Sequence, residues 1–389
     1  MTMISSLAQK YHQSIIDLRR HFHTYPELST KEFKTQERIM KELAAIGLVC
    51  RPIAKTGVIA EIKGSKPGKT VAIRADMDAL ELFDECGKTY QSQNPGICHA
   101  CGHDGHTAML IGTAKILTAI SGQLAGNFRF LFQPSEEILP GGAQIMIEEG
   151  ALAGVDAIIG AHLWEPLKVG TIGVSYDRLM AASDRFSVTV KGRGGHGSMP
   201  HQTVDSLLVG AQLAVALNTI VSRNIDPLKP AVVSLGTFKA GETFNIIPDT
   251  AFLTGTVRSF EPSIRSTVFE RIEQIIKGVC ETYGAAYQFE KALGLPAVVN
   301  NPECSKAIAA AGEKVLGRSN VLTINPVMGG EDFSYYQEKI PGAFFFIGVG
   351  NPEKGIIYPQ HHPKYDIDED ALLYGMEILV AAAVKLAQE

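Results

Sequence analysis

No apolar run in this sequence reaches the roughly 18 residues that a membrane-spanning helix needs, so no membrane partner is expected. The start, Met1-Thr2-Met3-Ile4-Ser5-Ser6, lacks a basic segment followed by an apolar core, and no signal peptide is read there. Cysteine is sparse. Six residues spread over 389 do not make a disulfide framework, and reduced thiols in the cytoplasm are the simpler expectation. Neither sign of charge dominates: 36 basic against 41 acidic side chains give a net charge of −5. That balance argues against a nucleic-acid partner. Internal repeats and low-complexity tracts are absent as well. What remains is a chain with 45% apolar residues, enough for a sizeable core and long enough for two domains.

Apolar residues recur near a 3.6 period over 4–22, which predicts an amphipathic helix that Pro26 closes off; a second helix is predicted over 31–46. Short apolar runs follow at 71–75, 128–132, 157–161 and 343–347, as in strands covered on both faces. Helical patterns over 103–120 and 142–150 separate the first three. This alternation predicts an α/β fold with a mostly parallel sheet. Polar, reactive residues stand directly after three of the runs: Asp76-Met77-Asp78, Gln133 to Glu137, and His162-Leu163-Trp164. In open α/β sheets, sites gather beyond the carboxyl ends of the strands. Residues 181–295 differ. Strand, helix, strand, strand, helix, strand are predicted at 185–190, 203–221, 231–238, 250–258, 262–283 and 286–290, the split βαβ plan of a small α+β domain. Three segments are therefore expected: 1–180 and 296–389 as the two parts of one α/β domain, and 181–295 as an insertion. A last helix is predicted from Asp368 to about Ala387.

The densest chemistry is Cys98-His99-Ala100-Cys101-Gly102-His103-Asp104-Gly105-His106-Thr107, just ahead of a predicted helix. Such a mix of soft and borderline donors suits a transition metal. Cys101, His103, Glu137 and His162 are possible ligands, and His361-His362-Pro363 offers another imidazole. Glu136 and Glu137 side by side suggest a division of labour, one binding metal and the other moving a proton. Taken singly, each of these residues is more ordinarily structural or solvated. Cys98-x-x-Cys101 also has the spacing of a thiol-disulfide pair, though a redox role gives no purpose to the acidic and histidine strand ends. An arginine on a predicted strand, such as Arg258, is by itself most often part of an exposed salt bridge.

Taken together and in order, the motifs resemble the aminoacylase and hippurate hydrolase family of dinuclear metal-dependent amidohydrolases, a branch that includes hydrolases of indoleacetic acid–amino acid conjugates. The resemblance rests on Arg74 to Leu80, His99 to His106, Gln133 to Glu137, Gly160 to Trp164, Gly192 to Gly197, Asn245 to Pro248, Gly255 to Arg258, Gly329 to Phe333, and His361-His362-Pro363. It implies a catalytic domain of zinc-exopeptidase type with an inserted ferredoxin-like lid and dimerisation domain. It implies two divalent cations, zinc or manganese, held by Cys101, His103, Glu137, His162 and His361, the last chosen over His362 because the family's ligand stands two residues before this proline. Glu136 would be the general base and Asp78 the carboxylate orienting the site from behind. His196 would reach the substrate carbonyl, often across a homodimer, and Asn245, Arg258 and the backbone near Gly330 would hold the substrate. Two departures stand out: Glu81 replaces the family's usual proline, and Cys98 an apolar residue. Cys98 brings with it the prospect of pairing with Cys101.

The activity so implied is hydrolysis of an N-acyl amino acid, N-acetyl or hippurate-like, by a metal-bridging water that Glu136 activates. A dipeptidase or carboxypeptidase of the same clan would share every ligand. A metal-dependent binding protein that has lost catalysis is a rival of another class, but a pure binding site has no need of a base beside the ligands.

Overall fold

A computed structural model describes residues 2–388. The chain divides into two compact units. The first runs to Leu179 and takes in Val298–Pro326 and the residues from Asp332 on; the second is Met180–Ala297 with Val327–Glu331. Among the described residues no helix is long and apolar enough to cross a membrane.

The first unit is built on an eight-stranded sheet. Its strands are β1 (Cys50–Ile53), β2 (Gly57–Lys63), β3 (Lys66–Asp76), β4 (Ala125–Gln133), β5 (Ala157–Lys168), β6 (Ile172–Val174), Val321–Thr323 and Gly342–Gly350. Across the sheet the order is β1, β2, β4, β3, β5, Gly342–Gly350, β6, Val321–Thr323. The four central strands, from β4 to Gly342–Gly350, are mutually parallel, while β1, β2 and β6 bring antiparallel pairings toward the edges. The central strands are apolar because helices cover both faces, and they bury Ile73, Phe130, Ile159 and Phe345 completely.

Helices α1 (Met3–Thr24), α2 (Phe33–Ala45) and α3 (His103–Ile120) pack in the same core with the C-terminal helix Asp370–Gln388. α3 starts where Gly102 adopts φ 92°, a left-handed turn that glycine takes without steric cost; a β-carbon there would also meet the Tyr365 hydroxyl at 2.8 Å.

The second unit is a four-stranded antiparallel sheet in the order Ala231–Ala240, Thr250–Ser259, Ala182–Lys191, Ala286–Leu295. Helices Ser206–Leu217 and Pro262–Tyr283 complete the β-α-β-β-α-β order expected of a ferredoxin-like domain. Alternation places Phe186, Val188 and Val190 in its core against Val209, Leu213, Ile272 and Ile276. The helix predicted over 203–221 begins later, at Ser206, because the Asp205 carboxylate caps it by accepting from Leu208 N–H at 3.0 Å; it breaks at Asn218 before a further turn over Thr219–Asn224. Val327–Glu331 joins this unit through Ala181 N–H, which donates to the Val327 and Gly329 carbonyls.

One expectation needs correction. His162 does not follow its strand but lies inside it, because β5 continues to Lys168. The pairing of β3 with β5 ends at Arg74–Gly160, while Gly342–Gly350 still pairs with β5 beyond that point. Past Gly160, β5 therefore keeps one neighbour and opens its other edge to side chains.

A buried ion network ties the first unit's ends together. Arg19 on α1, wholly buried, donates to Asp104 on α3 at 2.8 Å and to Asp366 near the C-terminal helix at 3.0 Å. Burial alone would raise the Asp104 carboxyl, but Arg19 and His23 reverse this and hold it well below the usual carboxylate range. The resulting stability is present above the unfolded pKa of about 3.9 and is lost as the pH falls below it toward the depressed folded value. Asp104→Asn is therefore expected to cost about 3 kcal/mol at pH 7. The gap between variant and wild type should narrow below about pH 4, as measured by urea unfolding at a series of pH values with chelator present throughout.

Candidate active site

Six of the side chains singled out from the sequence converge at one end of the first unit's sheet. Cys101 lies on the turn before α3 and His103 is the first residue of that helix. Glu136 and Glu137 follow β4, and His162 projects from β5. His361 arrives on a late loop, where its N–H donates to the Ala100 carbonyl at 2.7 Å and Gln360 Nε2 donates to the Leu163 carbonyl at 2.9 Å. Three overlapping trios have their donor atoms within 4.8 Å of one another: Cys101, His103, His162; Cys101, Glu137, His361; and His103, Glu136, Glu137. Cys101 Sγ lies 3.4 Å from His162 Nε2, and Glu137 Oε1 lies 3.4 Å from His361 Nε2 and 3.9 Å from His103 Nε2. Cys98 and Cys101 are both free thiols.

Hydrogen bonds on the far side of each ring decide what faces this hollow. His103 Nδ1–H donates to the Asp78 carbonyl at 2.9 Å, with the Asp78 carboxylate also 3.3 Å away. His162 Nδ1–H donates to the Leu163 carbonyl at 2.8 Å. In both rings it is Nε2 that is aimed inward, the arrangement a metal-binding imidazole needs. Asp78 does more than hold His103. Its other oxygen accepts from Ser29 Oγ at 2.6 Å and from Glu137 N–H at 3.1 Å, so one carboxylate positions two of the converging residues.

Backbone strain gathers in the same place. Ser135 and His361 have φ of 56° and 65°, left-handed values that non-glycine residues seldom adopt. Ser135 is held there by Glu32, whose carboxylate accepts its N–H at 2.9 Å, and by Thr30, whose N–H donates to its Oγ at 2.8 Å. Such strain persists where surroundings over-determine it, often at functional sites.

A supporting layer escaped the sequence reading. His106, one helical turn after His103, donates from Nδ1 to Asp76 at 2.5 Å and accepts at Nε2 from Leu163 N–H at 2.9 Å. It thus takes up the amide that β5 exposes where β3 stops pairing. Asp76 also receives Arg74 at 2.6 Å, and Arg74 reaches Asp332 at 2.7 Å. The i, i+3 spacing of His103 and His106 was the available signal.

The residues fit divalent cations on a structural test. His103 Nε2 and Glu137 Oε1 are buried and have no hydrogen-bond partner. Unpartnered buried polar atoms cost about 1–3 kcal/mol each, and a cation between them removes that cost. Burial, with the nearby Glu137 and Glu136 charges, pushes the Cys101 thiol well up. Burial, with His106, pushes His162 well down. Burial would lower His103 too, but Asp76, Asp78 and Glu137 lift it to about 10. A site this rich in carboxylates retains a proton on His103 unless another cation replaces it. Thiolate, imidazole and carboxylate together suit zinc, and the last two also suit manganese.

The remaining four expected residues lie in the second unit. His196 and Asn245 are neighbours: the His196 strand pairs with Ile246, and Gly197 N–H donates to the Asn245 carbonyl at 2.8 Å. Ser198 N–H donates to His196 Nδ1 at 3.1 Å, so the proton of the neutral ring sits on Nε2. Arg258 pairs across the sheet with Ser183, and a β-carbon on Gly330 would stand 2.9 Å from the Ser183 β-carbon, which places Gly330 beside the Arg258 strand. Arg258 donates to Thr256 Oγ1 and to the Val257 carbonyl, and no carboxylate among the described residues lies within ion-pair distance of it. It borders a hollow of about 810 Å³, together with Arg185, Lys291, Glu290, Thr254 and Ser234.

Comparison with known proteins places these features in context. Residues 72–385 match the model of a family described as Peptidase family M20/M25/M40. An N-acyl-L-amino acid amidohydrolase of Geobacillus stearothermophilus is 47% identical over 302 residues, 77% of this chain and 81% of that protein. Thermostable carboxypeptidase 1 of Saccharolobus solfataricus is 40% identical over 96% of both chains. Among solved structures, a Bacillus subtilis protein described as a dinuclear metal binding peptidase superposes with a TM-score of 0.86 at 37% identity, covering 97% of this chain and 99% of that one.

Asp78→Ala removes the carboxylate that holds both His103 and Glu137. It is expected to weaken zinc binding about 10–100-fold, as measured by equilibrium dialysis against buffered zinc.

Proposed function

Because this chain belongs to peptidase family M20/M25/M40, we propose that it is a metal-dependent amidohydrolase that cleaves the amide bond of N-acyl amino acids, releasing a carboxylic acid and a free amino acid. The observation that carries this reading is the unpartnered pair His103 Nε2 and Glu137 Oε1, buried among Cys101, His162 and His361 with Glu136 alongside.

Cys101, His103, Glu137, His162 and His361 would hold two divalent cations, zinc or manganese. When bound, such a pair lowers the pKa of water to about 7 and polarises a carbonyl. Glu136 takes the proton from the attacking water and delivers it to the amine nitrogen as the C–N bond breaks. His196, with its proton on Nε2, donates to the carbonyl oxygen as charge develops there. One preorganised donor of this kind is commonly worth about 3–4 kcal/mol. Arg258 receives the substrate carboxylate, because its planar fork can meet both oxygens, and Asn245 and the Gly330 backbone complete that grip. The second unit acts as a lid over the substrate and as the contact of a homodimer, and the enzyme works in the cytoplasm, where its free cysteines stay reduced.

The similarity to a carboxypeptidase favours a second reading, peptide rather than acyl-amide hydrolysis with the same donors. A panel of N-acyl amino acids and dipeptides, each assayed with zinc and with manganese, separates the two.

Glu136→Gln is expected to keep its cation content while turnover falls at least about 10²–10⁴-fold; substantial residual hydrolysis would remove Glu136 from the role of base. Chelation should abolish activity and added metal restore it. Substrates with the α-carboxylate blocked as an amide should show a strongly raised KM, and Arg258→Ala should erase the difference between free and blocked substrates.

A further inference from the structure

Away from that cluster, the first unit holds a second group of donors that the proposed reaction does not use. His23 near the end of α1, Asp84 and Cys86 each offer a ligand atom, and the three atoms lie within 4.8 Å of one another. His23 is buried, the Asp84 side chain is 4% exposed, and Cys86 is a half-buried free thiol.

The hydrogen bonding of His23 fixes which nitrogen faces this group. Its Nδ1 lies 2.7 Å from Asp104 Oδ2. An ionised carboxylate only accepts, so Nδ1 carries a proton. Arg19 Nη2, 3.3 Å from the same nitrogen, is also a donor and makes no bond there. Nε2 then points at Asp84 Oδ2, 3.3 Å away, and has no hydrogen-bond partner. Burial and Arg19 would lower His23, but Asp104 and Asp84 raise it well above the ordinary histidine range, so a positive charge lies between Nε2 and Asp84. A second proton on His23 would answer Asp84 but would give the thiol no part. A divalent cation engages all three donors. The Asp84 carboxylate is already oriented for this, since Cys86 N–H and Ser92 N–H donate to its two oxygens at 2.9 and 2.8 Å. A carboxylate behind an imidazole, with a cation in front, is the usual order in metal sites.

We propose that His23 Nε2, the Asp84 carboxylate and Cys86 Sγ bind one divalent cation of the zinc class, separate from the Cys101–His103 cluster, with the fourth position taken by water. Binding releases the Cys86 thiol proton and the His23 Nε2 proton to solvent and leaves His23 with its Nδ1 proton alone. One thiolate, one imidazole and one carboxylate are the donor mix that selects zinc or cobalt over magnesium or calcium. The site has a structural purpose. Residues 77–102 contain neither a helix nor a strand beyond isolated bridges, yet they run from Asp78 to the turn that carries Cys101. A cation joining the middle of this segment to α1 holds both of its ends.

The test uses the full chain as wild type, Cys86→Ser and Cys101→Ser, each dialysed against buffered zinc and, separately, cobalt. Cys86 sits on a half-exposed loop, so its conservative replacement spares the fold; His23 in the buried network is left intact. Wild type should bind one zinc equivalent per chain more than Cys86→Ser, and zinc should raise the melting temperature of wild type more than that of Cys86→Ser. In the cobalt form, Cys101→Ser should keep a thiolate-to-cobalt charge-transfer band, which the added Cys86→Ser change removes. Equal zinc content in wild type and Cys86→Ser, or no thiolate band in cobalt-loaded Cys101→Ser, would overturn the site and leave His23 bridged by a proton alone.

Discussion

Asp76 and Asp78 stand at the carboxyl end of β3 and just beyond it, and both are buried. Ionised carboxylates at such depth persist only if cations and hydrogen-bond donors surround them. Much of the first unit's interior is arranged to meet that demand. Arg74 and His106 answer Asp76; His103, Ser29 and the Glu137 amide answer Asp78. Each partner is thereby fixed in direction, and the same bonds that neutralise the two aspartates aim His103 and set the turn that carries Glu136 and Glu137. The geometry of the donor cluster follows from solvating buried charge.

Distant parts of the chain reach this point by hydrogen bonds to backbone carbonyls rather than by packing alone. The loop bearing His361 is tied on one side to Ala100 and on the other to Leu163, so it is registered against the turn of Cys101 and the strand of His162 together. The left-handed φ of His361 is the conformational cost of that double attachment. Ser135 bears a similar cost before the two glutamates, with Glu32 and Thr30 as its restraints. Strain at two of the approaches, and rigid strand or helix at the others, gives a site whose shape is set before any ligand arrives.

The elements were legible in the sequence because their burial is one-sided or complete in simple ways. α3 is buried for nearly its whole length and mostly apolar from Ala108 on, and the central strands carry short, mostly apolar runs, so period and length place them. The alternation in Ala182–Lys191 and its neighbours likewise gave the second unit its β-α-β-β-α-β order. The individual ligand candidates were visible as residue types, and the strand ends they follow already pointed to one end of the sheet; the full set of five, His361 included, came only with the resemblance to a known family. Choosing His361 over its neighbour His362 needed that resemblance too, since adjacent imidazoles carry no periodic signal. Three things could not be read. The continuation of β5 past Ala161 depends on a partner strand almost two hundred residues later in the chain, at Gly342–Gly350. The pairing of Arg74 with Asp332 joins positions 258 residues apart. The role of His106 depends on an amide that is exposed only because β3 and β5 part company.

The first turn of α3 joins the two polar systems of this unit. His103 and Asp104 are adjacent, and consecutive residues on a helix point about 100° apart. His103 accordingly faces the donor cluster, while Asp104 faces Arg19 and His23 on α1. The helix end cannot rotate to improve one set of contacts without damaging the other. A cation between His23, Asp84 and Cys86 would strengthen the Asp104 side of this lever, because a metal-bound imidazole is a stronger donor to the carboxylate behind it. Order imposed at α1 would then appear, one residue along the helix, as a more fixed His103.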